Sequence, residues 1–233
     1  MTLDHAERAE LKSHARAVID AATAAFERGE IPRSEWQRRL SEAMSDLYLA
    51  DDDPRWQSGF DGDATLWRAA RSLILDAAPM SGTFLDVGCA NGFLIESLIA
   101  WADGRGQTLE FYGLELDPAL AEEARRRLLH LAERIFIGNV SDWVPPLRFS
   151  CVRSGLEYVP PDEGSALLER LARRFVSLGG RVIVGPVYDA EVADTRAVFL
   201  AAGLHDPSVV SATDHHGKTR HVVWAAVDED ASR

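Results

Sequence analysis

The stretch from residue 84 to residue 101 restricts the possible folds more than any other part of the chain. Residues 84–87 predict a short buried strand and residues 92–101 an apolar helix, so residues 88–91 must form the turn between them. Gly88 permits backbone angles that other residues avoid. The N-terminus of the following helix presents free N–H groups and a partial positive charge. In open α/β sheets, ligands bind at such turns, in the crevice at the carboxyl ends of the strands.

Short apolar strands continue to alternate with helices along the rest of the chain. We expect five strands at 83–87, 109–115, 134–138, 149–153 and 180–185, and helices near 91–101, 117–132, 162–176 and 189–202. Two β-rich runs at 207–212 and 220–227 flank a hairpin loop at 214–217. These segments predict an α/β fold with a doubly wound, mostly parallel seven-stranded sheet and an antiparallel C-terminal hairpin.

The first 80 residues predict helices only. Apolar residues recur at steps of three or four over residues 11–26 and again over 36–47, and Ser34 and Gln37 have the spacing of a capping box before the second run. A third helix is expected at 66–77. The chain is therefore expected to divide into a helical N-terminal segment with its acidic loop (1–80), an α/β domain (81–229) and a tail (230–233).

The loop at residues 51–62 is rich in carboxylates and separates the second helix from the third. Two interpretations are open. The loop folds over the crevice as a lid at the substrate entry, with Trp56 and Phe60 as apolar cover and its carboxylates attracting a cationic substrate. Alternatively, it is a solvated linker whose two aromatic residues pack on the core.

Composition narrows the range of partners and compartments. The formal net charge of -12 opposes binding to nucleic acid, whose phosphates need a positive field. Cys89 and Cys151 are the only cysteines, so neither a disulfide framework nor a metal site is expected. The charged N-terminus does not resemble a signal peptide, and no apolar stretch approaches the length of a membrane span. We expect a cytoplasmic monomer or homodimer that acts on a small molecule, without a nucleic-acid or membrane partner.

The residues around the glycine turn separate two classes of cofactor. A dinucleotide-binding turn reads G-x-G-x-x-G/A and has an acidic residue about 20 positions later. Counted from Gly88, Ala90 stands at the second glycine position and Phe93 at the third, where it is too large for close helix packing. The acidic residue that ends the second strand, Glu115, comes 27 positions after Gly88. Both observations argue against a nicotinamide dinucleotide.

Asp86, Gly88, Ala90 and Gly92 match the pattern acidic-x-G-x-G/A-x-G in register, and Glu115 matches an acidic residue that closes the second strand. With these two motifs the chain resembles the class I S-adenosylmethionine-dependent methyltransferases over about residues 83–227. The resemblance implies a Rossmann-like enzyme that binds S-adenosylmethionine and releases S-adenosylhomocysteine.

The resemblance also implies a role for individual residues. The turn would wrap the methionine end of the cofactor, Asp86 would orient its ammonium group, and Glu115 would bind the ribose hydroxyls. Asn139 and Val140 would contact adenine, and Ser154 would lie beside the methyl group. The implied cofactor-binding residues are Asp86, Gly88, Cys89, Ala90, Asn91, Gly92, Glu115, Leu116, Asn139, Val140 and Ser154.

Glu157 and Tyr158 follow the fourth strand and are the candidate catalytic residues. As a base or an orienting pair they would suit an O or N nucleophile on a small molecule. The alternative is that Glu157 is solvated and Tyr158 packs under the next helix. We therefore predict a small-molecule methyltransferase, and the alternatives are an NAD-dependent oxidoreductase and a non-catalytic S-adenosylmethionine-binding module.

Overall fold

The computed structural model describes residues 3–228, so the predicted tail at 230–233 lies outside the described residues. Its centre is a seven-stranded sheet of order β3-β2-β1-β4-β5-β7-β6. Strands β1 to β5 run parallel, and β7 is antiparallel to both β5 and β6. The strands are β1 (Ser81–Val87), β2 (Thr108–Glu115), β3 (Ile135–Ile137), β4 (Phe149–Ser154), β5 (Val176–Val187), β6 (Ser208–Thr213) and β7 (Thr219–Ala226). The predicted fold class is confirmed.

Helices cover both faces of the sheet, because successive residues of a buried strand point to opposite sides. Phe84 of β1 packs with the helices on one face, and Leu85 and Val87 pack in the core on the other. The helices are α1 (His5–Glu27), α2 (Arg33–Leu49), α3 (Ala64–Arg71), α4 (Ile74–Ala77), α5 (Phe93–Asp103), α6 (Pro118–Arg127), α7 (Gly164–Arg170) and α8 (Val192–Ala201).

Helices α1 and α2 form an antiparallel pair joined by a short turn. Phe26 stacks on Trp36 at a centroid distance of 5.4 Å, and the Trp36 indole N–H donates to Thr23 Oγ1 at 3.1 Å. The capping box expected at Ser34 is wrong: the cap position is two residues earlier, at Pro32, and α2 begins at Arg33 with no side-chain cap. The Pro32 carbonyl accepts the first N–H groups of the helix instead.

Three predicted helices are shorter than their periodicity suggests, and the first of them, expected at 117–132, ends as α6 at Arg127. The helix expected at 66–77 is broken into α3 and α4 around Ser72, and α3 begins at an Asp63 cap that accepts from the Leu66 N–H. The helix expected at 162–176 ends as α7 and passes through a wider turn at Leu171–Phe175 straight into β5. This turn buries Phe175 completely, so core packing decides the helix end.

Candidate active site

A cavity of ≈ 380 Å³ lies between the carboxyl ends of the central strands and the N-terminal helix pair. Helices α1 and α2 close it on the side that faces away from the sheet. The residues predicted from sequence that line it are Asp86, Gly88, Cys89, Ala90, Glu115, Leu116, Asn139, Val140, Glu157 and Tyr158. The structure thus brings the predicted motifs together at one cavity.

The glycine turn is held in an unusual backbone conformation. Gly88, Ala90 and Gly92 have φ values of 70°, 47° and 76°, in the left-handed region that favours glycine. Ala90 keeps this conformation although it carries a Cβ, because the Glu115 carboxylate accepts a hydrogen bond from its N–H at 2.8 Å. The Gly88 N–H donates to the Leu114 carbonyl at 2.7 Å. The turn is therefore fastened to the end of β2.

The Glu115 carboxylate is almost completely buried and lies at the wall of the cavity. Its other oxygen accepts from the N–H groups of Leu116 at 2.8 Å and Asp117 at 3.0 Å. Burial raises the pKa of Glu115, and these N–H groups oppose the rise. Each carboxylate oxygen accepts up to two hydrogen bonds, so the oxygen bound to Ala90 retains room for one further donor.

Asp86, the second-last residue of β1, has a fully buried carboxylate that is only half satisfied. Arg153 on the neighbouring strand β4 donates to its Oδ1 at 3.0 Å and also to the Gly185 carbonyl at 2.8 Å. The buried Oδ2 has no hydrogen-bond partner within residues 3–228. Burial raises the pKa of Asp86, and the Arg153 guanidinium opposes the rise. Because buried acceptors are nearly always satisfied, Oδ2 fits a ligand that supplies a hydrogen-bond donor.

Glu157 and Tyr158 both reach the cavity, from the loop after β4. The Tyr158 hydroxyl lies so close over Gly88 that a Cβ there would overlap it, and the Glu157 carboxylate folds back over Gly155. Burial and the Glu157 charge raise the pKa of Tyr158, so the phenol stays protonated at neutral pH. Tyr158 also packs against the core, and Glu157 is exposed, so features of both interpretations of this pair occur together.

Three predicted cofactor residues do not line the cavity. The Asn91 side chain is fully buried and does not line the cavity, because its amide bonds the loop before α3. The amide accepts from Ser58 Oγ at 2.6 Å and donates to Gln57 Oε1 at 3.0 Å. Gly92 faces α6, where a Cβ would lie 3.2 Å from the Ala124 backbone. The Ser154 hydroxyl is buried and donates to the Gly155 carbonyl at 2.9 Å.

Asn139 lines the cavity, but its amide oxygen already accepts from the Ser141 N–H at 2.9 Å. Asparagine commonly bonds the backbone two residues ahead in such turns. Its backbone carbonyl accepts from Trp143 as well, at 2.7 Å. The oxygen expected to accept from adenine therefore has one remaining lone pair, and buried Val140 beside it offers an apolar wall.

Two carboxylates of the acidic loop before α3 are bound to groups of the N-terminal segment. Asp51 is fully buried and accepts from Arg8 at 2.8 Å and from the Leu3 N–H at 2.9 Å. Asp61 accepts from Arg8 at 2.9 Å and from Lys12 at 2.7 Å. Asp51 and Asp61 thus attach the loop to α1, and they form ion pairs with Arg8 and Lys12 of that helix.

The same loop nevertheless covers the cavity. Trp56 is buried, and its indole N–H donates to the Leu47 carbonyl of α2 at 2.7 Å. Ser58 and Gly59 line the cavity wall. The two aromatic residues of the loop, Trp56 and Phe60, pack in or against the core, and Ser58 and Gly59 between them border the cavity.

Several cavity residues carry no signal in the sequence. The apolar stripe of α2 predicts a buried face, but nothing in its period shows that part of this face lines a cavity. Arg71 and Arg153 lie within segments that predict an ordinary helix and an ordinary strand. The cavity residues found only in the structure include Ile19, Trp36, Leu40, Met44, Tyr48, Ser58, Gly59, Arg71 and Arg153.

Neither a metal site nor a membrane span occurs in the part of the chain that the structure describes. No group of three or more His, Cys, Asp or Glu side chains within residues 3–228 is arranged to hold a metal ion. Over the same residues, no helix has both the length and the apolar character needed to cross a membrane.

No protein-family model and no curated protein sequence matches the chain. Solved structures do match. The mitomycin 7-O-methyltransferase MmcR is 19% identical with a TM-score of 0.58, over 96% of this chain and 73% of that one. The O-methyltransferase NcsB1 from neocarzinostatin biosynthesis, solved with S-adenosyl-L-homocysteine and 1,4-dihydroxy-2-naphthoic acid, is 18% identical with a TM-score of 0.58, over 93% and 70%.

Geranyl diphosphate C-methyltransferase from Streptomyces coelicolor A3(2), solved with Mg2+, geranyl diphosphate and S-adenosyl-L-homocysteine, is 15% identical with a TM-score of 0.54, over 84% of this chain and all of that one. The match to MmcR includes most of the N-terminal helical segment, which the sequence motifs do not reach. At 15–19% sequence identity, the structural similarity establishes the fold alone. The chain has the fold of the class I S-adenosylmethionine-dependent methyltransferases.

Proposed function

We propose that this protein is an S-adenosylmethionine-dependent methyltransferase that acts on an O or N nucleophile of a small molecule. One observation carries the proposal: the left-handed turn at Gly88, the half-satisfied Asp86 and the buried Glu115 converge on one cavity. The open acceptors on Asp86 and Glu115 match the ammonium group of an amino acid at one end of the cavity and a ribose hydroxyl at the other. The fold supports it, because two of the structural neighbours were solved with S-adenosylhomocysteine.

The residues fit the cofactor as follows. Asp86 Oδ2 would accept from the ammonium group, and Glu115 would accept from a ribose hydroxyl through its remaining lone pair. Leu116 and Val140 would border the adenine, and Asn139 would face its polar edge. When bound, the cofactor supplies an electrophilic methyl group, so the protein contributes chiefly position and exclusion of water.

Glu157 and Tyr158 would act on the methyl acceptor. Tyr158 is protonated and lies over the turn, so its hydroxyl would orient the nucleophile by donating or accepting one hydrogen bond. Glu157, at the cavity wall and open to solvent, would take the proton that an O or N nucleophile releases. The apolar face of α2 would keep water from the transferred methyl group.

A small acceptor suits the shape and charge of the site. Residues of the helix pair and of the loop before α3 line one side of the cavity, and its volume of ≈ 380 Å³ suits a cofactor with a small acceptor. The net charge of -12 also disfavours nucleic acid. Of the matching methyltransferases, one was solved with a naphthoic acid and another with geranyl diphosphate, both small molecules.

Ligand-linked stability tests the cofactor. S-adenosylhomocysteine at 100 times its dissociation constant would stabilise the protein by about 2.7 kcal/mol, which raises the melting temperature by several degrees. Stabilisation by NADH and none by S-adenosylhomocysteine would instead indicate an oxidoreductase. Binding without release of S-adenosylhomocysteine, across a broad panel of acceptors with S-adenosylmethionine, would indicate a non-catalytic module.

A further inference from the structure

Arg71 is a cation of the cavity wall without an anionic partner. It ends α3 and lines the cavity, yet its guanidinium forms no hydrogen bond or ion pair with any residue in 3–228. Its contacts are with two aromatic rings: the guanidinium carbon lies 5.3 Å from the Phe60 centroid and 5.2 Å from the Trp67 centroid. Arg153, the other arginine of the cavity, is bound to Asp86.

The surroundings leave the charge of Arg71 uncompensated. Burial and the like charge of Arg153 lower the pKa of Arg71 to about 10, so it remains protonated at neutral pH. The Asp86 charge offsets only part of this lowering of the pKa, and the Arg220 charge lowers it further. Burial raises the pKa of Tyr48, which therefore stays neutral and supplies no counter-charge. A partly desolvated cation of this kind is stabilised strongly by an anion placed beside it.

The geometry favours a planar monoanion. Contact with two rings restrains the guanidinium plane, and its N–H groups then suit the fork of a carboxylate. A phosphate dianion fits less well, because four carboxylates also line the cavity and would repel it. These are Asp86, Glu115, Asp117 and Glu157.

We propose that Arg71 is a carboxylate-binding residue of this cavity. The identity of the ligand rests on the proposed function. That function offers two molecules that carry a carboxylate: the cofactor, through its amino-acid end, or the methyl acceptor, through an acid group. In either case Arg71 fixes the ligand at the α3 side of the cavity.

Isothermal titration calorimetry with matched ligands separates the two sources. S-adenosylhomocysteine is compared with 5′-methylthioadenosine, which lacks the amino-acid carboxylate. Aromatic carboxylic acids, added with 5′-methylthioadenosine bound, are compared with their carboxamides. The test variant is Arg71→Gln. The control is Arg68→Gln on the same helix, whose exposed guanidinium lies 5.5 Å from the Trp101 centroid and not in the cavity.

A loss of at least tenfold in affinity for S-adenosylhomocysteine in Arg71→Gln, with unchanged affinity for 5′-methylthioadenosine, assigns Arg71 to the cofactor. If the variant binds S-adenosylhomocysteine and 5′-methylthioadenosine with unchanged affinity but no longer prefers acids over amides, Arg71 is assigned to the acceptor. If neither comparison changes, the proposal is overturned. Arg71→Met removes the charge and keeps most of the side-chain length, and it replaces Arg71→Gln under the same criteria if that variant does not fold. Failure of the wild type to bind S-adenosylhomocysteine would contradict the proposed function, whereas the acid–amide comparison, repeated without 5′-methylthioadenosine, would still test Arg71.

Discussion

At the scale of single residues, Glu115 combines two tasks. The motif implies a ribose contact, and the structure shows that the same carboxylate also holds Ala90 and the start of α6 through three backbone N–H groups. A substitution at this position therefore alters the turn as well as the ligand contact.

Glu115→Ala tests this double role. We expect a loss of about 1–3 kcal/mol in binding of S-adenosylhomocysteine, the cost of leaving hydrogen-bonding groups unpaired, and a lower free energy of unfolding. Calorimetry measures the first and urea unfolding the second. Glu110→Ala on the same strand is the control, since that side chain is 60% exposed. Unchanged affinity in Glu115→Ala would contradict the assignment to the ribose.

Gly88 is constrained by its backbone angle and by Tyr158. Gly106 has a similar φ of 67° but no neighbour within 4 Å of the position that a Cβ would occupy, so Gly106→Ala isolates the cost of the angle, about 1 kcal/mol. In Gly88→Ala the added Cβ also overlaps the Tyr158 ring. The free energy of unfolding, measured with urea, should therefore fall by about a further 1–3 kcal/mol. Equal losses in the two variants would mean that Tyr158 does not lie over Gly88.

At the scale of elements, the attachment of α1 to the loop before α3 decides how the cavity is covered. Arg8 reaches Asp51 and Asp61 of the loop, and its guanidinium lies 4.9 Å from the Trp56 centroid. Asn91 fixes the other side of the loop to the glycine turn. The cover is thus tied both to the helix pair and to the cofactor turn.

The pH dependence of stability tests this attachment. Burial alone would raise the pKa of Asp51, but the N–H groups of Asp53 and Leu3 and the Arg8 guanidinium outweigh it, so the pKa lies below its usual value. A lowered folded-state pKa stabilises the protein above about pH 4, and this contribution is lost as the pH falls through the folded-state value. Asp51→Asn should be less stable at pH 7, and the difference from wild type should shrink toward pH 3.

Urea unfolding at the two pH values measures the effect. Glu30→Gln is a suitable control, because Glu30 pairs with Arg28 on the exposed surface and such pairs contribute little. A stability difference for Asp51→Asn that stays constant with pH would contradict the ion pair with Arg8.

At the scale of the whole molecule, the cavity joins two parts of the chain that are far apart in sequence. The strand ends supply the cofactor motifs, and α1, α2 and the loop supply the opposite wall. Binding in the cavity should therefore stabilise the N-terminal segment together with the sheet domain.

Hydrogen exchange followed by mass spectrometry checks this coupling. S-adenosylhomocysteine should slow exchange in residues 54–60, because Ser58 and Gly59 line the cavity and Asn91 bonds the loop. The hairpin loop at 214–217 does not line the cavity and serves as the internal control. Equal changes in both segments would indicate a global effect without coupling through the cover.

The sequence by itself determined those features that depend on neighbouring residues. Alternating strands and helices predict the sheet, and Gly88, Ala90 and Gly92 predict the turn, because backbone preference and hydrophobic period are local properties. The distance of 27 positions from Gly88 to Glu115 can also be counted along the chain, and it argued against a nicotinamide dinucleotide. Helix ends were less accurate, as at Phe175, where core packing overrides the local period.

Only the tertiary structure decided which side chains meet. Asn91 belongs to the cofactor motif, yet it bonds a loop more than 30 residues earlier instead of lining the cavity. Arg153 is paired with Asp86 across two parallel strands, and Arg71 is left unpaired beside it. These arrangements depend on burial and on contacts between distant segments, and the free energy of a buried charge depends on what surrounds it in space. No period or spacing along the chain encodes that environment.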